Sequence, residues 1–139
     1  MPIWKKPVSL EHLQERRRNT MVEHLGIELV EVGDDYMTAS MPVDNRTHQP
    51  MGILHGGASI ALAETVGSMA ANMAVDEEHY CVGLEVNGNH LRSVKSGRVF
   101  ATASPLHLGR TTQVWDIRIR DEQGRKVCIS RLTMAVLKR

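Results

Sequence analysis

The chain carries no strong charge of either sign: 17 Lys and Arg face 16 Asp and Glu, a formal net charge of +1. A nucleic-acid-binding domain uses a basic face to displace counterions from phosphates, and this balance provides none. The run Arg16-Arg17-Arg18 is accounted for by the solvated side of a surface helix. Cysteine is almost lacking. Cys81 and Cys128 each sit in an apolar, strand-like run, which predicts two buried free thiols. No pair of His or Cys has the C-x2-C or i, i+4 spacing of a zinc site, and His48, His55 and His90 fall in separate elements, so no metal is expected. No charged segment followed by an apolar run opens the chain, so no secretory signal is visible and a cytoplasmic location is expected. The longest apolar stretch, Ile53 to Val75, is interrupted by His55, Glu64 and Asn72, which argues against a membrane span. No Ser lies in a G-x-S-x-G elbow, which argues against a conventional serine esterase. Repeats, low-complexity tracts and linkers are also lacking, so residues 1–139 are expected to form one domain.

What is present reads as two strands, one long helix and four strands. Ser9 can cap a helix over Leu10 to Arg18, and Thr20-Met-Val-Glu23 has the form of a capping box for one more turn, ended by Gly26. Ile27 to Val32 and Tyr36 to Val43 are extended segments joined by the turn residues Gly33-Asp34-Asp35. Pro42 places the second at a sheet edge or at its own end. Beyond the apolar helix come Cys81 to His90, Gly97 to His107, Thr111 to Arg120 and Lys126 to Leu137. Short connections such as Asp121-Glu-Gln-Gly124 favour antiparallel neighbours. The class is α+β, one long central helix against a curved antiparallel sheet of five to six strands.

On a helical wheel from Ala58 to Val75, Leu62, Val66, Met69 and Met73 form a bulky stripe that should pack on the sheet. Glu64, Ser68 and Asn72 form a second face at i, i+4 and i+8, flanked by the small residues Gly57, Ala61, Gly67 and Ala71. Periodicity leaves two readings of that face: a narrow solvated stripe, or a site where a ligand or second subunit approaches a carboxylate. The approach to the helix is Gly52-Ile-Leu-His55-Gly56-Gly57. Helix N-termini present unpaired N–H groups and partial positive charge, and glycines let that backbone near a substrate oxygen. The pair would be an oxyanion hole with a carboxylate about two turns further along the helix.

The run His48-Gln49-Pro50-Met51-Gly52-Ile53-Leu54-His55-Gly56-Gly57, followed by Ala63-Glu64-Thr65-Val66-Gly67-Ser68, resembles the hotdog-fold acyl-CoA thioesterases. It is similar to the branch of the Arthrobacter-type 4-hydroxybenzoyl-CoA thioesterase, which includes thioesterases of menaquinone and enterobactin synthesis. Val82-Gly83-Leu84-Glu85, Asn89-His90-Leu91-Arg92, Leu106-His107-Leu108-Gly109-Arg110 and Ser130-Arg131-Leu132 extend the resemblance over nearly the whole chain. Met51 and Gly88 depart from it, standing where an aromatic residue and an alanine are expected. The resemblance implies hydrolysis of an acyl-CoA or acyl-carrier-protein thioester, with coenzyme A entering only as part of the substrate and no cofactor. It implies Glu64 as nucleophile or general base, the Gly56 N–H as oxyanion donor, His55 and Gln49 near the same oxygen or the thiolate, and Ser68 beside the attacking water or the acyl group. His90, Arg92, Gly83, Gly109, Arg110 and Arg131 match positions near the coenzyme A portion. Sites at dimer interfaces and a homotetramer are implied as well. Two rival classes stand beside it. A hydratase would use a His and a carboxylate on the same kind of thioester, and a non-catalytic acyl-CoA sensor would not need Glu64. Among rival carboxylates Glu85, inside an apolar run, is the foremost, and an outward strand position accounts for it.

Overall fold

The computed structural model describes residues 1–139. Nine elements follow one another: α1 (Leu10–Glu15), α2 (Met21–His24), β1 (Glu28–Val32), β2 (Met37–Pro42), α3 (Gly56–Met73), β3 (His79–His90), β4 (Arg98–Leu108), β5 (Thr112–Arg120) and β6 (Lys126–Lys138). The strands form one antiparallel sheet in the order β1-β2-β4-β5-β6-β3. Chain order and sheet order part company at α3. After β2 the helix carries the chain across the sheet, so β3 is laid down at the far edge beside β6.

The core follows from the period-2 alternation of the strands meeting the apolar side of the helix. Val99, Ala101 and Ala103 on β4, Trp115, Ile117 and Ile119 on β5, and Cys128, Leu132 and Met134 on β6 are all buried. Leu62 and Val66 of the helix stripe are fully buried against them, Met73 nearly so, and Met69 is half-buried. Gly67 sets how closely α3 approaches, because a Cβ there would lie 2.5 Å from Leu132 Cδ2 and 3.2 Å from Ile117 Cδ1. The opposite face of the sheet is polar, with Thr38 bonded to Thr102 at 2.9 Å and Arg118 to Asp116 at 3.2 Å.

Several boundaries differ from the sequence expectation for local reasons. α1 ends at Glu15 rather than Arg18, and the chain turns through Asn19 at φ 61°. The Thr20 hydroxyl donates to Arg17 O instead of capping α2, while Glu23 does close back onto the Asn19 N–H. β2 lies between β1 and β4, so Pro42 marks its end and not a sheet edge. α3 stops at Met73, two residues early, where an N-terminal strap takes over its last carbonyls. Lys5 N–H donates to Met73 O and Lys6 Nζ to Asn72 O, a cation at the negative end of the helix. Both cysteines are buried, and that burial pushes their thiols above the ordinary range, away from thiolate chemistry. No helix is long and apolar enough to cross a membrane.

Candidate active site

α3 begins at Gly56, two residues before the expected start, because His55 caps it. The His55 backbone is extended (φ −71°, ψ 131°), and its Nδ1 accepts the Gly57 N–H at 2.7 Å. That bond leaves Nδ1 without a proton, so the ring proton sits on Nε2. His55 O in turn accepts the N–H groups of Ala58 and Ser59 at 3.0 and 3.2 Å. One donor of the first turn, the Gly56 N–H, is left over. The end of the helix therefore offers two outward donors, the Gly56 N–H and the exposed His55 ring at Nε2.

The loop before it is held by its own backbone. Thr47 O accepts His55 N–H, Ile53 O accepts Gln49 N–H, Gln49 O accepts Gly52 N–H, and Gly52 turns the chain at φ 78°. The Gln49 side chain folds back to accept the Met51 N–H, so it is engaged within the loop. Asp44 anchors the loop base. Side-chain and backbone bonds from Arg46 hold its carboxyl at about 2. Across from the helix start, the His90 ring lies against Gly56, with Nε2 only 2.9 Å from where a Cβ would stand. Gly56, Ser59, His90, Leu91, Arg92 and Val127 line an open groove of about 400 Å³. Ser59, Leu91 and Val127 escaped the sequence reasoning. Ser59 could have been found from its place one turn after His55 on the helix.

The second helix face meets the edge strand. Asn72 Oδ1 accepts the Cys81 N–H at 2.8 Å, while its Nδ2 donates to Ser68 O at 2.9 Å and Cys81 O at 3.3 Å. One turn of helix back, Ser68 is half-buried. Glu64, the single charge on α3, is exposed, and its carboxylate lies against the α-carbon of Gly83. Glu85 faces the other way, on the outer side of β3, where it accepts from Asn87 Nδ2 at 3.3 Å.

The single chain does not bring all the candidates together. Gly56 and Glu64 stand about 12 Å apart along the helix axis. Their strand neighbours, His90 and Gly83, are about 20 Å apart along β3. Gly109 and Arg110 form the β4–β5 turn, at the end of the sheet remote from His90 and Arg92. Gly109 is required there because a Cβ would come 2.8 Å from Thr112 O. Arg131 is exposed on the outer face, opposite Asp116 on β5 and Asn87 on β3.

A thioester carbonyl is a single C=O group, too small to touch Gly56 and Glu64 of the same chain at once. Comparison with known proteins identifies the family. Residues 51–128, more than half of the chain, match the thioesterase superfamily. The chain is 53% identical to the proofreading thioesterase EntH of Cronobacter turicensis, over 97% of this chain and 98% of that one. It is 51% identical to the 1,4-dihydroxy-2-naphthoyl-CoA hydrolase of Escherichia coli, over 97% and 99% of the two chains. A crystal structure of a Haemophilus influenzae thioesterase superposes with a TM-score of 0.97 at 51% identity, covering 98% of this chain and 95% of the other. Fold, family and relatives agree: the chain is an enzyme of the thioesterase superfamily, built on the hotdog fold.

Proposed function

We propose that the enzyme hydrolyses aryl- or hydroxyaryl-CoA thioesters at a site shared by two protomers. Glu64 of one would act on a carbonyl polarised by Gly56 and His55 of the other. The observation that carries this reading is the unpaired Gly56 N–H at a His-capped helix start, on a helix whose only charge is one exposed carboxylate. In the reaction, water adds across the acyl–sulfur bond and the thiol departs with a proton, leaving the free acid. Glu64 either deprotonates that water or attacks the carbonyl to give an anhydride that water cleaves. Both routes build negative charge on the carbonyl oxygen, where a preorganised donor is worth about 10²–10³ in rate. Support for the aryl acyl group comes from the 1,4-dihydroxy-2-naphthoyl-CoA hydrolase at 51% identity, and a place in menaquinone synthesis is consistent with that likeness. Arg92, with His90, is positioned to receive the coenzyme A arm in the groove beside Gly56.

Distance supports a shared site. Two β3 edges paired antiparallel about a two-fold axis would set Gly83 and Glu64 of one protomer near His90 and Gly56 of its partner. Two such dimers would give a homotetramer. The test is subunit complementation. Glu64→Gln and His55→Ala should each lower release of free thiol from benzoyl-CoA by at least about 10²-fold. On random mixing, half of the dimers are mixed and each of those holds one intact site of two, so about a quarter of wild-type activity returns. Activity in Glu64→Gln alone would refute the role of Glu64, and none in the mixture would refute the shared site.

A further inference from the structure

We infer that Gly83 is a positioning residue for the Glu64 carboxylate, a gap in the edge strand that fixes where the carboxylate stands. The inference rests on the catalytic role proposed for Glu64. Two independent features create the gap. First, β3 carries a bulge: Gly83 pairs with Met134 and Glu85 with Thr133, which leaves Leu84 as an extra residue. The bulge shifts the alternation, so Cys81 and Gly83 face α3 before it and Val86, Gly88 and His90 after it. Secondly, Gly83 has no side chain at the one place where the carboxylate lies. A Cβ built there overlaps Glu64 Oε2 and stands 3.6 Å from Glu64 Cδ and 3.9 Å from Leu132 Cδ1, with no backbone atom in the way. What excludes a side chain at 83 is the carboxylate itself. An alanine would therefore leave the strand in place and drive the carboxylate back by about 1 Å to ordinary contact.

Gly88 is the internal control. It lies on the same strand and the same face, and a Cβ there overlaps Ile60 Cδ1 instead, the free end of an apolar side chain that takes no part in the proposed chemistry.

The experiment compares Gly83→Ala, Gly88→Ala, Glu64→Asp and Gly83→Ala/Glu64→Asp by kcat, KM and thermal melting. Gly83→Ala should lose about 10²-fold in kcat, the cost of roughly 1 Å of misplacement, with KM within threefold and unfolding unchanged. Gly88→Ala should keep kcat within threefold. Glu64→Asp withdraws the carboxylate by one methylene and clears the new methyl, so the double variant should lose much less than the product of the two single losses. A wild-type kcat in Gly83→Ala, or losses that multiply, would overturn the inference. If Gly83→Ala does not fold, Gly83→Ala/Glu64→Ala must fold, since the overlapping group is gone. Failure of both would place the constraint in the strand and overturn it equally. Full activity in Glu64→Gln sinks the catalytic reading itself, a different outcome from an inactive Glu64→Gln beside an unaffected Gly83→Ala.

Discussion

Replacing Asn72 by alanine probes how helix α3 is tied to the edge strand. Cys81 begins the part of β3 that passes under α3, and its backbone N–H and C=O are both engaged by the Asn72 amide. The 2.8 Å bond to Oδ1 is the strong one; the 3.3 Å contact to Cys81 O is longer and contributes less. Cys81 is only 6% exposed, so water replaces the lost amide poorly. A net hydrogen bond of about 1 kcal/mol, with about 1–2 kcal/mol more for a buried N–H left without an acceptor, gives a loss of about 2–3 kcal/mol. For a domain of this size the melting temperature should fall by roughly 6–12 °C. Melting followed by circular dichroism at constant protein concentration is the assay, because any self-association would otherwise shift the midpoint. Amide exchange at Cys81 should accelerate in parallel. A midpoint within about 2 °C of wild type would refute the reasoning, showing that packing alone holds α3 on β3.

His55→Asn should separate two roles of one residue. An asparagine caps the helix well, so stability should stay within about 1 kcal/mol of wild type, while kcat falls by about 10²–10³ for want of the Nε2 donor. Asp44→Asn addresses acid stability. The Arg46 bonds lower the Asp44 pKa from 3.8 to about 2 in the folded chain, so its contribution is complete above pH 4 and is lost as pH falls towards 2. The difference in melting temperature between parent and variant should be constant from pH 8 to about 5 and shrink below about 4; a difference independent of pH would refute it.

How much of this was legible in the residues depends on the range of each interaction. Helix α3 and its stripe were, because Leu62, Val66 and Met73 repeat at helical spacing and burial needs nothing else. The start of α3 was misplaced by two residues. Two glycines look like loop, and only the fold of the 47–55 segment puts the His55 ring where it can hold their turn. Glu64, Ser68 and Asn72 stood out as a polar face, yet nothing local could name Cys81 as the Asn72 partner, nine residues on and past a turn. By resemblance alone Gly83 is expected near the coenzyme A arm, and nothing in its local sequence points to Glu64. Its contact with Glu64 depends on a bulge whose cause lies in pairing with β6, far away in the chain.

The His55 ring has a consequence for how this position can vary. Its two nitrogens serve different ends, Nδ1 inside the fold and Nε2 at the surface, and a five-membered ring sets the angle between them rigidly. Asparagine reproduces the inner bond without the outward reach; glutamine and lysine reach outward without closing the helix. Among variants at residue 55, melting temperature and turnover should therefore be uncorrelated, and selection for stability alone would drift the position towards residues that fold well and do no chemistry.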